Sequence, residues 1–294
     1  TVTYTVELPD VQTKAIGDAS TVDQLIYEVW VTKAADERDL KDSNKATRLY
    51  QDETTLIQRN DKTCAVVTFN LVQDQEYTIL FWAQKKDTGV YNTDVLTDVH
   101  YATNFKPGES GYFSNQENYA AFYAADFVSD SDTKSRTVIL KRPFAQLNIA
   151  TKNTVEDYTV TLNNSRVILS NVATHFDVAQ NLPKSPAVSE FSKIEFKAAE
   201  VPTYPNETLT VNGQTYQYVA MNYIFANGNT EVSYEINTTL VSHSDANTTT
   251  TAQISNNVPN VPLKENYRTN IVGNLLTSTT EYYIEIDDSW YDEP

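Results

Sequence analysis

The sequence predicts an all-β chain built from two β-sandwich domains. Three observations carry that reading. Apolar residues recur mainly with a period of two, the alternating runs are short and broken by turn residues, and helical spacing is rare. The chain has 294 residues, which at roughly 150 residues per domain suggests two domains. A polar stretch at 151–157 places the expected boundary there, giving domains at 1–150 and 151–294.

The elements follow in order. Residues 1–8 put Val2, Tyr4, Val6 and Leu8 on one side and Thr1, Thr3, Thr5 and Glu7 on the other. That pattern is a half-buried strand, stopped by Pro9 and Asp10. Residues 24–32 repeat it with Leu25, Tyr27, Val29 and Val31. Strands at 65–71 and 77–83 follow, with a turn expected over 73–76. The run at 77–83 (YTILFWA) is apolar on both faces, which marks a central strand covered on both sides. Strands at 137–140 and 144–150 complete the first half. In the second half, strands are expected at 158–162, 166–169, 215–220, 231–240, 251–254, 267–276 and 281–286, with a turn at 163–165. Loops are expected at 34–45, 87–98, 184–192 and 242–250. Residues 115–127 contain Ala120, Ala121, Ala124 and Ala125, good helix formers, but the aromatics among them fit either period.

Composition narrows the function. Lys plus Arg is 22 against 39 Asp plus Glu, a net charge of −17. A surface that acidic repels phosphate backbones, so nucleic acid is not expected as a partner, nor is an anionic membrane. The 33 aromatic residues (19 Tyr, 11 Phe and 3 Trp) supply material for real cores. No apolar run is long enough for a membrane-spanning helix. The first fifteen residues lack a signal-peptide pattern, so the chain reads as mature or trimmed. The single cysteine, Cys64, excludes an internal disulfide and a Cys-based zinc site. With only 7 glycines, no glycine-rich phosphate-binding motif is present.

Catalytic constellations are sparse. His100, His175 and His243 read as lone residues in different neighbourhoods. No G-x-S-x-G or H-E-x-x-H occurs. Asp126, Asp130 and Asp132 have the density of a calcium loop but lack its glycine and closing glutamate, so they read as a solvated loop. No catalytic, cofactor-binding or metal-binding residue is expected. Trp30 and Trp82 sit in strand patterns as core residues, whereas Trp290 lies beyond the last strand, where a partner can reach it.

Three segments carry a resemblance. Residues 14–18 (KAIGD) with 22–30 (VDQLIYEVW), residues 140–149 (LKRPFAQLNI) and residues 266–277 (NYRTNIVGNLLT) occur in one order across nearly the whole chain. The 77–84 segment (YTILFWAQ) fits as well. In these segments the chain resembles the fimbrillin family of type V pilus subunits. The resemblance implies two transthyretin-like β-sandwich domains in tandem and export to the cell surface as a lipoprotein precursor. It implies a place in the fimbrium or at the outer membrane. It further implies cleavage by a trypsin-like maturation protease that frees the first strand, residues 1–14. The emptied groove would then take a strand from another pilin subunit, self or accessory. Lys14-Ala15 is the corresponding bond, with Lys14 where much of the family has Arg.

The residues support the same device physically. Burying Val2, Tyr4, Val6 and Leu8 at about 1.5–3 kcal/mol each gives about 6–12 kcal/mol gross. Removing such a strand exposes a groove and an unpaired edge that another strand can fill. Tyr282, Ile284 and Ile286 alternate near the chain end and are the donor-strand candidates. The expected function is thus a non-enzymatic structural pilus subunit supporting adhesion, with a host or bacterial surface ligand as a further partner and no cofactor. Its rival is a monomeric glycan-binding surface lipoprotein. A glycoside hydrolase stands third, requiring two suitably spaced acids in a cleft.

Overall fold

The computed structural model describes residues 1–9, 20–34, 36–72, 74–102, 112–129, 134–152, 154–184, 193–198, 208–226, 228–278 and 280–288. Among these the chain is all β, with two short 3₁₀ turns, at Leu96–Asp98 and Glu117–Tyr119, and no α-helix.

Two sheets come from the first half. One contains β1 (Val2–Glu7), β4 (Ile57–Arg59), β5 (Lys62–Phe69) and β11 (Ser135–Ile139), in the order β11-β1-β5-β4. The other contains β2 (Gln24–Thr32), β3 (Ala46–Thr55), β6 (Glu76–Gln84) and β10 (Ala121–Ser129), in the order β10-β6-β2-β3. They pack face to face, Tyr4 of β1 lying 5.5 Å from Phe81 of β6 and Phe69 of β5 lying 5.5 Å from Tyr27 of β2, between ring centroids.

Two five-stranded sheets come mainly from the second half. β12 (Phe144–Thr151), β17 (Thr208–Val211), β18 (Gln214–Phe225), β21 (Arg268–Gly273) and β22 (Tyr282–Asp287) run in the order β17-β18-β12-β21-β22. β9 (Tyr112–Phe113), β13 (Tyr158–Ser170), β16 (Lys193–Ala198), β19 (Gly228–Ser242) and β20 (Thr249–Leu263) run in the order β20-β19-β13-β16-β9. Ser165 Oγ of β13 donates to the Val219 carbonyl of β18 at 3.2 Å, bringing the two sheets together.

A fifth, small sheet joins the halves: β7 (Tyr91–Asn92), β8 (Val99–Tyr101), β14 (His175–Asp177) and β15 (Leu182–Lys184), in the order β15-β14-β8-β7. An aromatic seam lies beside it. Phe176 stacks on Phe225 at 5.7 Å and lies 6.4 Å from Trp82, while Tyr91 stacks on Phe144 at 5.8 Å. This seam explains why β6 is apolar on both faces. Phe81 points into the sandwich against Tyr4, and Trp82 points out of it against Tyr91, at 5.6 Å.

Several elements differ from the sequence reading. β10 occupies most of the ambiguous 115–127 stretch, because pairing with β6 overrides the helix preference of its alanines. The expected turn at 163–165 is a bulge within one long strand, β13. β3 went unread because it is a mostly exposed, charged edge strand without apolar alternation. The strand expected at 144–150 as the last of the first half is β12, which pairs with β18 and β21 and so by strand pairing goes with the second half. Most of the loop expected at 184–192 lies outside the described residues.

Candidate functional site: the first strand and the terminal strand

β1 is held from both sides. It runs antiparallel to β5, from Val2 opposite Phe69 to Glu7 opposite Cys64, and parallel to β11, from Thr3 opposite Ser135 to Glu7 opposite Ile139. Val2, Tyr4, Val6 and Leu8 are 6%, 0%, 0% and 6% exposed, as the alternation requires. Tyr4 sits in an aromatic slot, 5.6 Å from Phe69 and 5.5 Å from Phe81. The outward side is polar and lightly fastened, with Thr3 Oγ1 3.2 Å from Thr68 Oγ1 and Lys62 paired with Glu7 at 2.8 Å.

The order β11-β1-β5-β4 makes β1 the link in its sheet. β11 is the end strand and β1 is its ladder partner, while β5 has β4 only along Cys64–Lys62. Taking β1 away would leave a groove between β5 and β11, floored by Phe69 and Phe81, with backbone donors and acceptors open on both walls. β1 lies in one sheet and β2, the next strand of the chain, lies in the facing one, with residues 10–19 between them in the sequence. Lys14 and Ala15 fall within that stretch, outside the described residues.

The terminal strand β22 is an edge strand paired to β21. Tyr282, Ile284 and Ile286 face the same way as Gly273, Ile271 and Thr269, their register partners. Tyr282 and Ile284 are half-buried against the core, and Ile286 is 47% exposed. The opposite face is tied by polar contacts. Asn270 Nδ2 donates to Glu285 at 3.0 Å, Arg268 pairs with Asp287 at 3.7 Å, and the Tyr216 and Tyr283 hydroxyls are 2.8 Å apart. The strand lies so close to β21 that a Cβ on Gly273 would come within 2.8 Å of Tyr282 Cα and closer still to the Glu281 carbonyl.

Two of the sequence segments singled out above meet here. Residues 140–149 supply β12 and residues 266–277 supply β21, and the two strands pair in parallel, Gln146 opposite Arg268 through Thr151 opposite Gly273. Buried Asn148 Nδ2 donates to Asn270 Oδ1 at 2.8 Å, and Arg268 Nε to Gln146 Oε1 at 2.9 Å. These polar rungs continue through Asn270 to Glu285, so the chain's two signatures build the platform on which β22 docks.

The remaining candidates fall as follows. Trp30 and Trp82 are 8% and 0% exposed, consistent with core roles. Asp126 is held by Arg136 in a two-point pair at 2.6 and 3.0 Å, and Asp130, Asp132 and Trp290 lie outside the described residues. The reading of the histidines as three lone residues needs correction. His100 and His175 stack with centroids 4.7 Å apart, because β8 and β14 pair across the halves. They are 75 positions apart in the chain, and no local pattern announces the pairing. His243 stands apart from them, with Nε2 3.2 Å from Thr159 Oγ1. Sequence reasoning also passed over Glu28. It is fully buried and accepts from Arg48 at 2.9 Å, Trp30 Nε1 at 2.8 Å and the Leu96 amide at 3.0 Å.

Among solved structures, the chain is similar to a proposed cell adhesion protein from Bacteroides ovatus, at 17% identity and a TM-score of 0.42, covering 100% of this chain and 98% of that one. It is similar to a fimbrial assembly protein from Parabacteroides distasonis at 11% identity and a TM-score of 0.43, covering 97% and 94%. A third is the tip fimbrial protein of Porphyromonas gingivalis with a C-terminal truncation, at 12% identity and a TM-score of 0.46, covering 98% and 99%. No curated protein matches the chain significantly. A family model does match, from residue 1 to residue 294, and by that full-length match the chain belongs to the family of unknown function DUF6562.

Proposed function

We propose that this protein is a non-enzymatic fimbrial subunit of the cell surface that polymerises by strand exchange after proteolysis and supports adhesion. The observation that carries the proposal is the position of β1. It is a strand with four buried apolar side chains, inserted between β5 and β11, and the next strand of the chain, β2, lies in the facing sheet. Cleavage at Lys14-Ala15 by a trypsin-like protease would leave β1 held by non-covalent contacts alone. β22 of another subunit has the alternation to replace it. A register that puts Tyr282 in the place of Tyr4 carries Ile284 and Ile286 to the places of Val6 and Leu8. The donor side chains are half-buried or exposed on their own subunit, so burying them in the vacated slot offsets part of the loss of β1, and dilution of the freed peptide supplies the rest. Two domains in tandem, with β12 paired into the second, an origin as an exported lipoprotein precursor and a surface ligand belong to the same reading.

Limited digestion with a lysine-specific protease tests it, followed by intact mass, unboiled gels and negative-stain microscopy. The expected result is cleavage after Lys14, loss of residues 1–14 and heat-resistant ladders or filaments. A stable monomer carrying a cut at Lys14 would refute strand exchange, and a glycan-binding monomer would then be the better account.

A further inference from the structure

We propose that Asp98, His100 and His175 form a binding site for a divalent transition metal of the zinc class, fastening the two halves of the chain together. One possible ligand atom from each residue lies within 4.8 Å of the other two. Asp98 ends the 3₁₀ turn at Leu96–Asp98, His100 lies on β8 and His175 lies directly opposite it on β14. The first two come from the first half and the third from the second, so one ion would bridge the seam.

The hydrogen bonds prepare the site. His100 Nδ1 is 2.8 Å from the Asp98 backbone carbonyl. A carbonyl can only accept, so that nitrogen carries the proton and Nε2 keeps its lone pair. This is the arrangement by which a backbone oxygen fixes a metal-binding imidazole. His175 Nδ1 lies 3.1 Å from Asp98 Oδ1, a separation that two ligand atoms of one ion also have, so the ion would take the place of the proton between them. Two imidazoles and one carboxylate suit zinc, copper(II) or nickel rather than calcium or magnesium, which prefer an all-oxygen shell.

Closure is modest. Tetrahedral ligands about 2.0–2.1 Å from zinc lie about 3.3 Å apart. The present spread of up to 4.8 Å thus has to shrink by about 1.5 Å at most, which side-chain rotation can supply. Three protein ligands leave a fourth position for water. Solvent reaches the cluster, since Asp98 and His100 line an open cleft of about 670 Å³ with Trp30 and Leu40. The Lys41 ammonium, 3.5 Å from Asp98 Oδ1, is the competing cation. It is 43% exposed and free to swing outward. The net charge of −17 draws cations towards the surface generally.

The test uses the untagged full chain, stripped of metal by EDTA and dialysed. Zinc is titrated by calorimetry and by thermal unfolding, and copper(II) by electron paramagnetic resonance. The expected result is one zinc ion per chain, a raised melting temperature, and two nitrogen ligands on copper. His100→Gln and His175→Gln should each weaken zinc binding at least tenfold, while His243→Gln leaves it unchanged. Melting of each variant in EDTA establishes that it folds. Absence of a zinc-dependent shift, binding that survives both His100→Gln and His175→Gln, or binding lost equally with His243→Gln would overturn the assignment.

Discussion

Replacing Tyr4 by alanine probes the strand on which the proposed assembly turns. The side chain is fully buried and its ring lies 5.6 Å from Phe69 and 5.5 Å from Phe81. Truncating a large aromatic in such a position costs about 3–5 kcal/mol, the lost transfer energy plus the cavity left behind. At about 1.36 kcal/mol per decade, that is about two to four decades in the equilibrium holding β1 in its groove. Urea unfolding of the uncut chain measures the loss directly, as a fall in midpoint with an unchanged slope. Thr5→Ala, on the outward face of the same strand, is the control and should cost less than about 1 kcal/mol. After cleavage at Lys14, the Tyr4→Ala chain should release residues 1–14 and form ladders faster than the parent. A loss below 1 kcal/mol in the uncut chain, or a loss matched by Thr5→Ala, would refute the reasoning that the Tyr4 slot anchors β1.

Four further outcomes are expected. Glu28→Ala strips an acceptor from Arg48, Trp30 and the Leu96 amide and should cost about 3–5 kcal/mol in the same urea assay. Gly273→Ala forces β22 away from β21, so hydrogen exchange should quicken over residues 282–287 and stay unchanged over 2–7. Burial first, then the Asp52 charge and hydrogen bond, push the Tyr27 hydroxyl up to about 12 from 10.0. An acid whose folded pKa is raised stabilises the fold fully below its unfolded pKa and loses that as pH rises, so melting temperature should fall between about pH 10 and 12, and Tyr27→Phe should flatten the fall. A peptide of residues 281–294, added in excess, should suppress ladder formation by the cleaved chain and leave the uncut chain unaltered, whereas the same peptide with Ile284→Asp should not suppress it.

How much of this was legible in the sequence depends on what each element packs against. β1 and β6 read correctly because their burial repeats every two residues or covers both faces, whereas β2 was legible in its bounds but not in its burial, which extends to both faces. The reason for the two-sided burial of β6 was invisible, since it lies in Tyr91 and Phe176, from distant segments. The tight turn between β17 and β18 carried an overlooked signal. Asn212 and Gly213 have φ of 50° and 74°, the left-handed pair that an Asn-Gly hairpin turn requires. The donor-strand candidates were found by alternation, but their shallow burial was not, because an edge position leaves no mark on the residues themselves. The His100–His175 pair needed the fold outright, since it depends on β8 meeting β14 across the two halves.

The proposed device also explains why a cut is needed at all. In the uncut chain the segment from residue 8 to β2 tethers β1 beside its own groove, at an effective concentration of about a millimolar or more. A strand from another subunit at micromolar concentration competes at a disadvantage of about a thousandfold, worth about 4 kcal/mol. Cleavage changes no contact of β1 and removes the tether, so both strands then compete as separate molecules. Dilution of the freed β1 then favours the strand that every neighbouring subunit presents. β1 must still be lost before β22 can enter, and it is paired on both sides, so release is slow and the exchange follows the cut rather than preceding it. β22 itself leaves a single ladder, the one with β21. A strand paired on both sides and one paired along a single edge are suited to opposite roles, receiver plug and mobile donor.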